Sequence, residues 1–305
     1  MGSFTSTAGR IAIAMIAETT LIAAASAANA QAAPSPVRVI PVSCDSTKLP
    51  TAVDQANFLG TAIVRLSEKC TYLTKQSLPV TGVNVTIVGP STAAIKADPT
   101  AGPFGAILTV AQGATLHAKN FFILGGAQSE ARSGGGIDNS GTLTLESMII
   151  SGNDAVEGGG LKNNQNAKAL ISHSVFKTNT GRFGGAINNA GALMVYKTLI
   201  SGNSAEQGGG IFNYGPGVAR IVESTFDKNS ASQKGGAIAN QAKISLVRSM
   251  VQQNKANLAS SASAGGIAND AATAGSVTVA SSTISGNTPN NCTSPATAPI
   301  LGCLG

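Results

Sequence analysis

Four ionisable side chains occupy the same place in successive stretches of this chain. His173, Lys197, Glu223 and Arg248 each lie six residues before an asparagine: Asn179, Asn203, Asn229 and Asn254. Ser147 and Ser281 hold the equivalent place on either side, and Tyr196 immediately precedes Lys197. A row of two fixed cations, an imidazole, a carboxylate and a phenol suits an anionic or hydroxylated polymer. Arg248 or Lys197 would serve as base or anion clamp, and Tyr196 would stack on a sugar ring. The competing expectation is a ladder of alternating charge, each exposed pair contributing roughly 0–1 kcal/mol. The single carboxylate favours the ladder, because glycoside hydrolysis takes a pair of carboxyl groups. Calcium-dependent elimination would want several. Asp138, Asp154, Glu157 and Asp227 lie at other places in the repeat and are not expected to converge. His173, Lys197, Glu223 and Arg248 are therefore candidates only, and no catalytic residue or metal ligand is assigned.

Other chemistry is missing from the pattern. No Ser-His-Asp, Cys-His or phosphate-loop arrangement occurs, and the recurring glycine triplets are corners rather than phosphate cradles. Leu78-Pro79-Val80-Thr81-Gly82 matches a wall-sorting signal, but more than two hundred residues of repeat follow it, so the match is a coincidence. Cys44, Cys70, Cys292 and Cys303 show no CxxC spacing and lie far from His117 and His173. They read as two end-local disulfides, since the repeats between the pairs should hold the termini apart.

A second outward set is apolar. Leu170 and Met194 stand nine residues before the asparagine, and Tyr196, Val222 and Val247 seven before it. Such a stripe on a strand face marks a contact surface for a partner or for a second copy of the chain.

The elements that must carry these residues follow from internal repetition. GGGI or a near relative ends at Ile137, Leu161, Ile187, Ile211, Ile238 and Ile267, spaced by 24, 26, 24, 27 and 29 residues. Two residues after each comes an asparagine: Asn139, Asn163, Asn189, Asn213, Asn240 and Asn269. A second series closes the other half of each unit: Asn153, Asn179, Asn203, Asn229, Asn254 and Asn287. Three, eight and ten residues before this second asparagine, every position in all six units is apolar. The eight-and-ten pair has period 2, a strand burying one face. Units of about 25 residues made of short strands and glycine turns predict an all-β, single-stranded, right-handed parallel β-helix. Its rungs stack about 4.8 Å apart, with apolar ladders inside and asparagine ladders at the corners. The handedness is taken from the general chirality of β crossovers. A leucine-rich repeat would need leucines on a convex helix, and the glycine-rich half of each unit has none. A calcium-binding nonapeptide series and an outward Thr ladder for ice are likewise absent.

Composition agrees with this architecture: 36 glycines, 11% charged residues, 4% aromatics and 43% apolar residues suit tight turns and short strands rather than disorder. The net charge of +6 is too small for nucleic-acid binding. Residues 1–32 read as a secretory signal, with Arg10 before apolar runs and small residues at Ala28, Ala30 and Ala32. Glu18 argues against a permanent membrane span. The expected organisation is a cap over 33–60 with a short plug helix at Leu49 to Leu59, a β-helix over 61–290, and a disulfide-closed cap over 291–305.

The repeat GGGIxN…LTLxxSxISGN resembles the β-helix repeats of polymorphic outer-membrane-type proteins and related secreted bacterial proteins. The segment CDSTKLPTAVDQAN looks like the opening motif of that group. The resemblance covers about residues 40 to 303. It implies a surface or secreted protein of the pectin-lyase-like superfamily, in which many members bind or cleave polysaccharide. The expected function is a non-catalytic binding or structural module, adhesin-like or glycan-binding, that meets a polysaccharide or cell-wall polymer without a cofactor. The alternative is a polysaccharide lyase or hydrolase, the one case that would bring in calcium.

Overall fold

The computed structural model describes residues 37–102, 104–126, 134–257, 263–270, 276–294, 300 and 302–303. The segment read as a secretory signal lies outside them. The chain winds as a right-handed parallel β-helix of about nine turns. Four sheets run along it, and every strand pairing described is parallel.

Each full turn passes through the sheets in a fixed order, illustrated by one rung. Thr142–Glu146 belongs to sheet 1, of ten strands. Ile149–Ser151 belongs to sheet 2, of nine. Asp154–Glu157 starts sheet 3, of five, and Leu161–Asn163 belongs to sheet 4, of nine. Sheet 1 opens at Arg38–Val42, inside the segment expected to be cap, where residues 38–42 pair in register with 62–66.

The predicted core is the inside of the coil. Leu145, Ile171, Val195, Ile221 and Leu246 stack in sheet 1, and Ile150, Phe176, Ile200, Phe226 and Val251 in sheet 2, all fully buried. Each such side chain contributes roughly 1.5–3 kcal/mol by leaving water. The core thins at the last rung, where Val279 and Ile284 are only partly buried.

Both asparagine series lie inside, at corners, and bond to themselves. Nδ2 of Asn139, Asn163, Asn189, Asn213 and Asn240 each donates to Oδ1 of the next member at 2.7–2.8 Å, ending on Asn269. The second series does the same from Asn153 to Asn287 at 2.9–3.0 Å. There each Oδ1 also accepts the backbone N–H of the asparagine one rung earlier. Gly126 takes this place one rung before Asn153, donating its N–H to Asn153 Oδ1 at 2.8 Å.

Glycine is required where the chain passes from sheet 3 to sheet 4. Gly158, Gly184, Gly208 and Gly235 have φ of 67–72°, and a Cβ on Gly208 would overlap the Ile211 carbonyl oxygen. The helix Lys48–Leu59 plugs the first turns with Leu49, Ala52, Val53 and Ala56. Leu59, the last residue of the helix before Gly60, is exposed. Cys44–Cys70 and Cys292–Cys303 are both disulfides, with Cα separations of 5.4 and 6.2 Å.

Candidate functional site

The predicted ionisable row exists, but it lies at a corner and not on a strand face. Ser147, His173, Lys197, Glu223, Arg248 and Ser281 follow the strands of sheet 1, and all have φ between 46° and 54°. This left-handed conformation costs a non-glycine residue on the order of 1–2 kcal/mol. All six of these rungs, and Asn120 before them, adopt it whatever the side chain, so it belongs to the repeat and is not strain reserved for chemistry.

The next residue in each unit explains how the corner is held. Ser174, Thr198, Ser224, Ser249 and Ser282 form a hydroxyl ladder. Each hydroxyl oxygen accepts the backbone N–H of the equivalent residue one rung earlier, beginning with Met148. Each also donates to the carbonyl two residues back. Sequence reasoning missed this ladder, although its signal was legible as a run of Ser or Thr five residues before the asparagine.

The row is one connected set of side chains. Arg248 donates to Glu223 Oε1 from Nη2 at 2.6 Å and from Nε at 3.1 Å. Lys197 Nζ stands 3.7 Å from the other carboxylate oxygen and 5.0 Å from the centre of the Tyr196 ring. Tyr196 meets His173 edge to face, with ring centres 5.6 Å apart. The bond from Arg248, reinforced by the charges of Arg248 and Lys197, holds the Glu223 carboxyl below the usual glutamate range. Its bond with Tyr196 and the charge of Glu223 raise Lys197 above the usual lysine range. Both shifts favour the charged forms, the Glu223 anion and the Lys197 cation.

The apolar stripe is smaller than expected. Leu170 and Met194 are adjacent in register and 41% and 39% exposed. Tyr196 and Val247 are half-buried, but Val222 is 7% exposed. Val222 lies in register between Tyr196 and Val247, one rung away on either side.

A second arrangement, between sheets 3 and 4, was not foreseen. The glycine turn brings the far ends of the sheet 3 strands beside the outer side of sheet 4. In sheet 3, Glu157, Phe183, Gln207 and Lys234 follow one another in register. In sheet 4, Lys162, Asn188, Phe212 and Ala239 do so. Between the two ladders Lys162 Nζ bonds Glu157 at 2.6 Å. The Phe183 and Phe212 rings are 5.3 Å apart, and Tyr214 stacks on Phe212 at 5.3 Å. Asn188 and Phe212 face outward from the coil yet are 1% and 6% exposed.

Asp138 and Glu157, expected to stay apart, converge here on Lys162. Burial pulls the Lys162 ammonium down, but the bond to Glu157 and the charges of Glu157 and Asp138 outweigh it and raise the group overall. Burial pushes the Tyr214 phenol up. Different repeat positions meet because the glycine turn folds one segment of the unit against another, which spacing along the chain does not reveal.

Among the described residues, no three His, Cys, Asp or Glu side chains gather closely enough to hold a metal ion. No protein-family model and no curated protein matches the chain.

Proposed function

We propose that this chain is exported and works at or outside the cell surface as a non-catalytic β-helix binding module, adhesin-like or glycan-binding, of the pectin-lyase-like kind. Its repeats are of the polymorphic outer-membrane-protein type in this reading. One observation carries it. The only carboxylate in the exposed row is clamped by Arg248 and Lys197 and held ionised, so it is poorly suited to donate a proton to a leaving group. A charged, tyrosine-bearing corner beside exposed Leu170 and Met194 is suited to contact. Two disulfides support an oxidising compartment. No helix among the described residues is long and apolar enough to cross a membrane.

The test is a screen of the purified protein against uronate polymers, neutral glycans and cell-wall preparations, with and without calcium. Retention without new reducing ends or unsaturated products is expected. Lyase or hydrolase action is the second reading, favoured only by the contact of two cations with Glu223. Products that vanish in Arg248→Ala would establish it in place of the first. The apolar pair is tested separately, since Leu170→Lys with Met194→Lys should abolish any self-association seen in sedimentation.

A further inference from the structure

The turns that lead from sheet 4 back to sheet 1 alternate in length. Residues 111–114, 164–167 and 214–217 are four-residue turns, each closed by a bond from its last N–H to its first carbonyl at 3.0 Å. On the rungs between and after them the connection is two residues: 140–141, 190–191 and 241–242. The first three repeat spacings of 24, 26 and 24 residues record this alternation. A Cβ on Gly141 or Gly191 would overlap carbonyl oxygens of the long turn one rung before, so each short connection is seated against its neighbour.

Three turns therefore stand out from this corner on alternate rungs, about 9.6 Å apart, twice the strand spacing. Their tips, including Gln165, Asn166, Gly215 and Pro216, are exposed, whereas Ala190 between them is 5% exposed. Hollows of about 290 and 200 Å³ lie in the first two gaps, over 140–141 and over 190–191.

The width of a gap fixes what enters it. A polypeptide layer placed midway would lie about 4.8 Å from both flanking turns, the spacing of hydrogen-bonded strands. Among the described residues, the main-chain groups of Gln112, Gly113, Gln165, Asn166 and Gly215 make no backbone hydrogen bond. An occupant of successive gaps must also repeat every two rungs. The same corner of a second copy meets both needs, because its long turns have the thickness and the period of the gaps.

We infer that this corner is the interface of an antiparallel dimer in which the long turns of each copy enter the gaps of the other. The two-fold axis passes between the 164–167 and 190–191 turns. Residues 112–113 then sit over the partner's 241–242, 165–166 over its 190–191, and 215–216 over its 140–141. Leu170, 41% exposed, faces the partner's Met194, and Met194, 39% exposed, faces the partner's Leu170. An apolar centre is thus flanked by polar turns, the usual anatomy of an interface. Sliding one copy by two rungs toward the far end seats fewer turns and sets exposed Lys168 against the partner's Lys243. The inference rests on reading Leu170 and Met194 as a contact surface, and it names the occupant and the register.

The test is sedimentation of the full chain together with thiol cross-linking. A concentration-dependent dimer is expected. Ser140→Cys with Pro216→Cys should form a disulfide-linked dimer on oxidation. The two sites lie three rungs, about 14 Å, apart in one chain, too far to bridge within it. The native cysteines are already paired. Ala192→Lys, which sets a cation against the partner's Lys168, should weaken the dimer about tenfold, and adding Lys168→Glu should restore it. If the double cysteine variant does not fold, mixing the two single variants reads the same contact, since each copy supplies one thiol. A dimer that Leu170→Lys with Met194→Lys dissociates, but that the cysteine pair does not link, overturns the interlocked register and keeps the apolar contact. A monomer at every concentration overturns both and leaves the polymer-binding module reading standing, since that needs no second copy.

Discussion

Asn203 shows what one residue does in a stacked fold. Its Oδ1 accepts from both the backbone N–H and the Nδ2 of Asn179, and its Nδ2 donates to Asn229 and to the Phe176 carbonyl. Asn203→Ala strands the backbone N–H and one amide hydrogen of Asn179 and removes the side-chain donor to the Phe176 carbonyl, while Asn229 Oδ1 keeps the backbone N–H of residue 203. At about 1–3 kcal/mol per stranded group, with partial relaxation, a loss of about 3–5 kcal/mol is expected. Urea unfolding measures it. The same change at Asn287, which is 8% exposed near the end of the ladder, should cost less. Equal losses at both sites would mean that the ladder does not act through burial.

At the scale of an element, the corner after sheet 1 couples three rungs through Arg248, Glu223, Lys197 and Tyr196. The folded-state pKa of Glu223 lies below its ordinary value of 4.5, the direction in which ionisation favours the native state. That stability is present above the unfolded value and is lost as pH falls through the folded value. Glu223→Gln should therefore lower the thermal midpoint at pH 7. The gap from the parent should close as pH drops below about 4.5. It should also shrink in 1 M salt, where screening reaches about 3 Å. A gap independent of pH would place the effect in packing instead.

For the whole molecule, each rung mainly meets its neighbours, so stability is roughly a sum of rungs and interfaces. Removing residues 190–213 deletes one unit and joins Asn189 to Tyr214. Asn189 then bonds Asn240, and Asn179 bonds Asn229, with no register lost. The shortened chain should keep its β circular-dichroism spectrum and lose about 4.8 Å of length in solution scattering. An unfolded or aggregated product would contradict an additive solenoid. Removing 12 residues instead should fail, because it would bring apolar positions to asparagine registers.

The solenoid was legible in the sequence because stacking makes structure periodic. A ladder of like residues needs the same residue type at the same place in every unit, and Asn139 to Asn269, Phe176 and Phe226, and the Ser174 to Ser282 hydroxyls all satisfy that need. The row at His173, Lys197, Glu223 and Arg248 was legible for the same reason. Its left-handed corner was not, since polar residues of any kind tolerate that place. The contact between sheets 3 and 4 was hidden because it joins unlike positions. Glu157 meets Lys162, Phe183 meets Phe212, and Asn188 bonds the Phe183 carbonyl only after the glycine turn lays the ends of sheet 3 beside sheet 4. Repetition fixes what stacks along the axis, by hydrogen bonding and burial between equivalent residues. What faces across a turn of the coil is decided by backbone geometry at a few glycines, and only the folded chain reveals it.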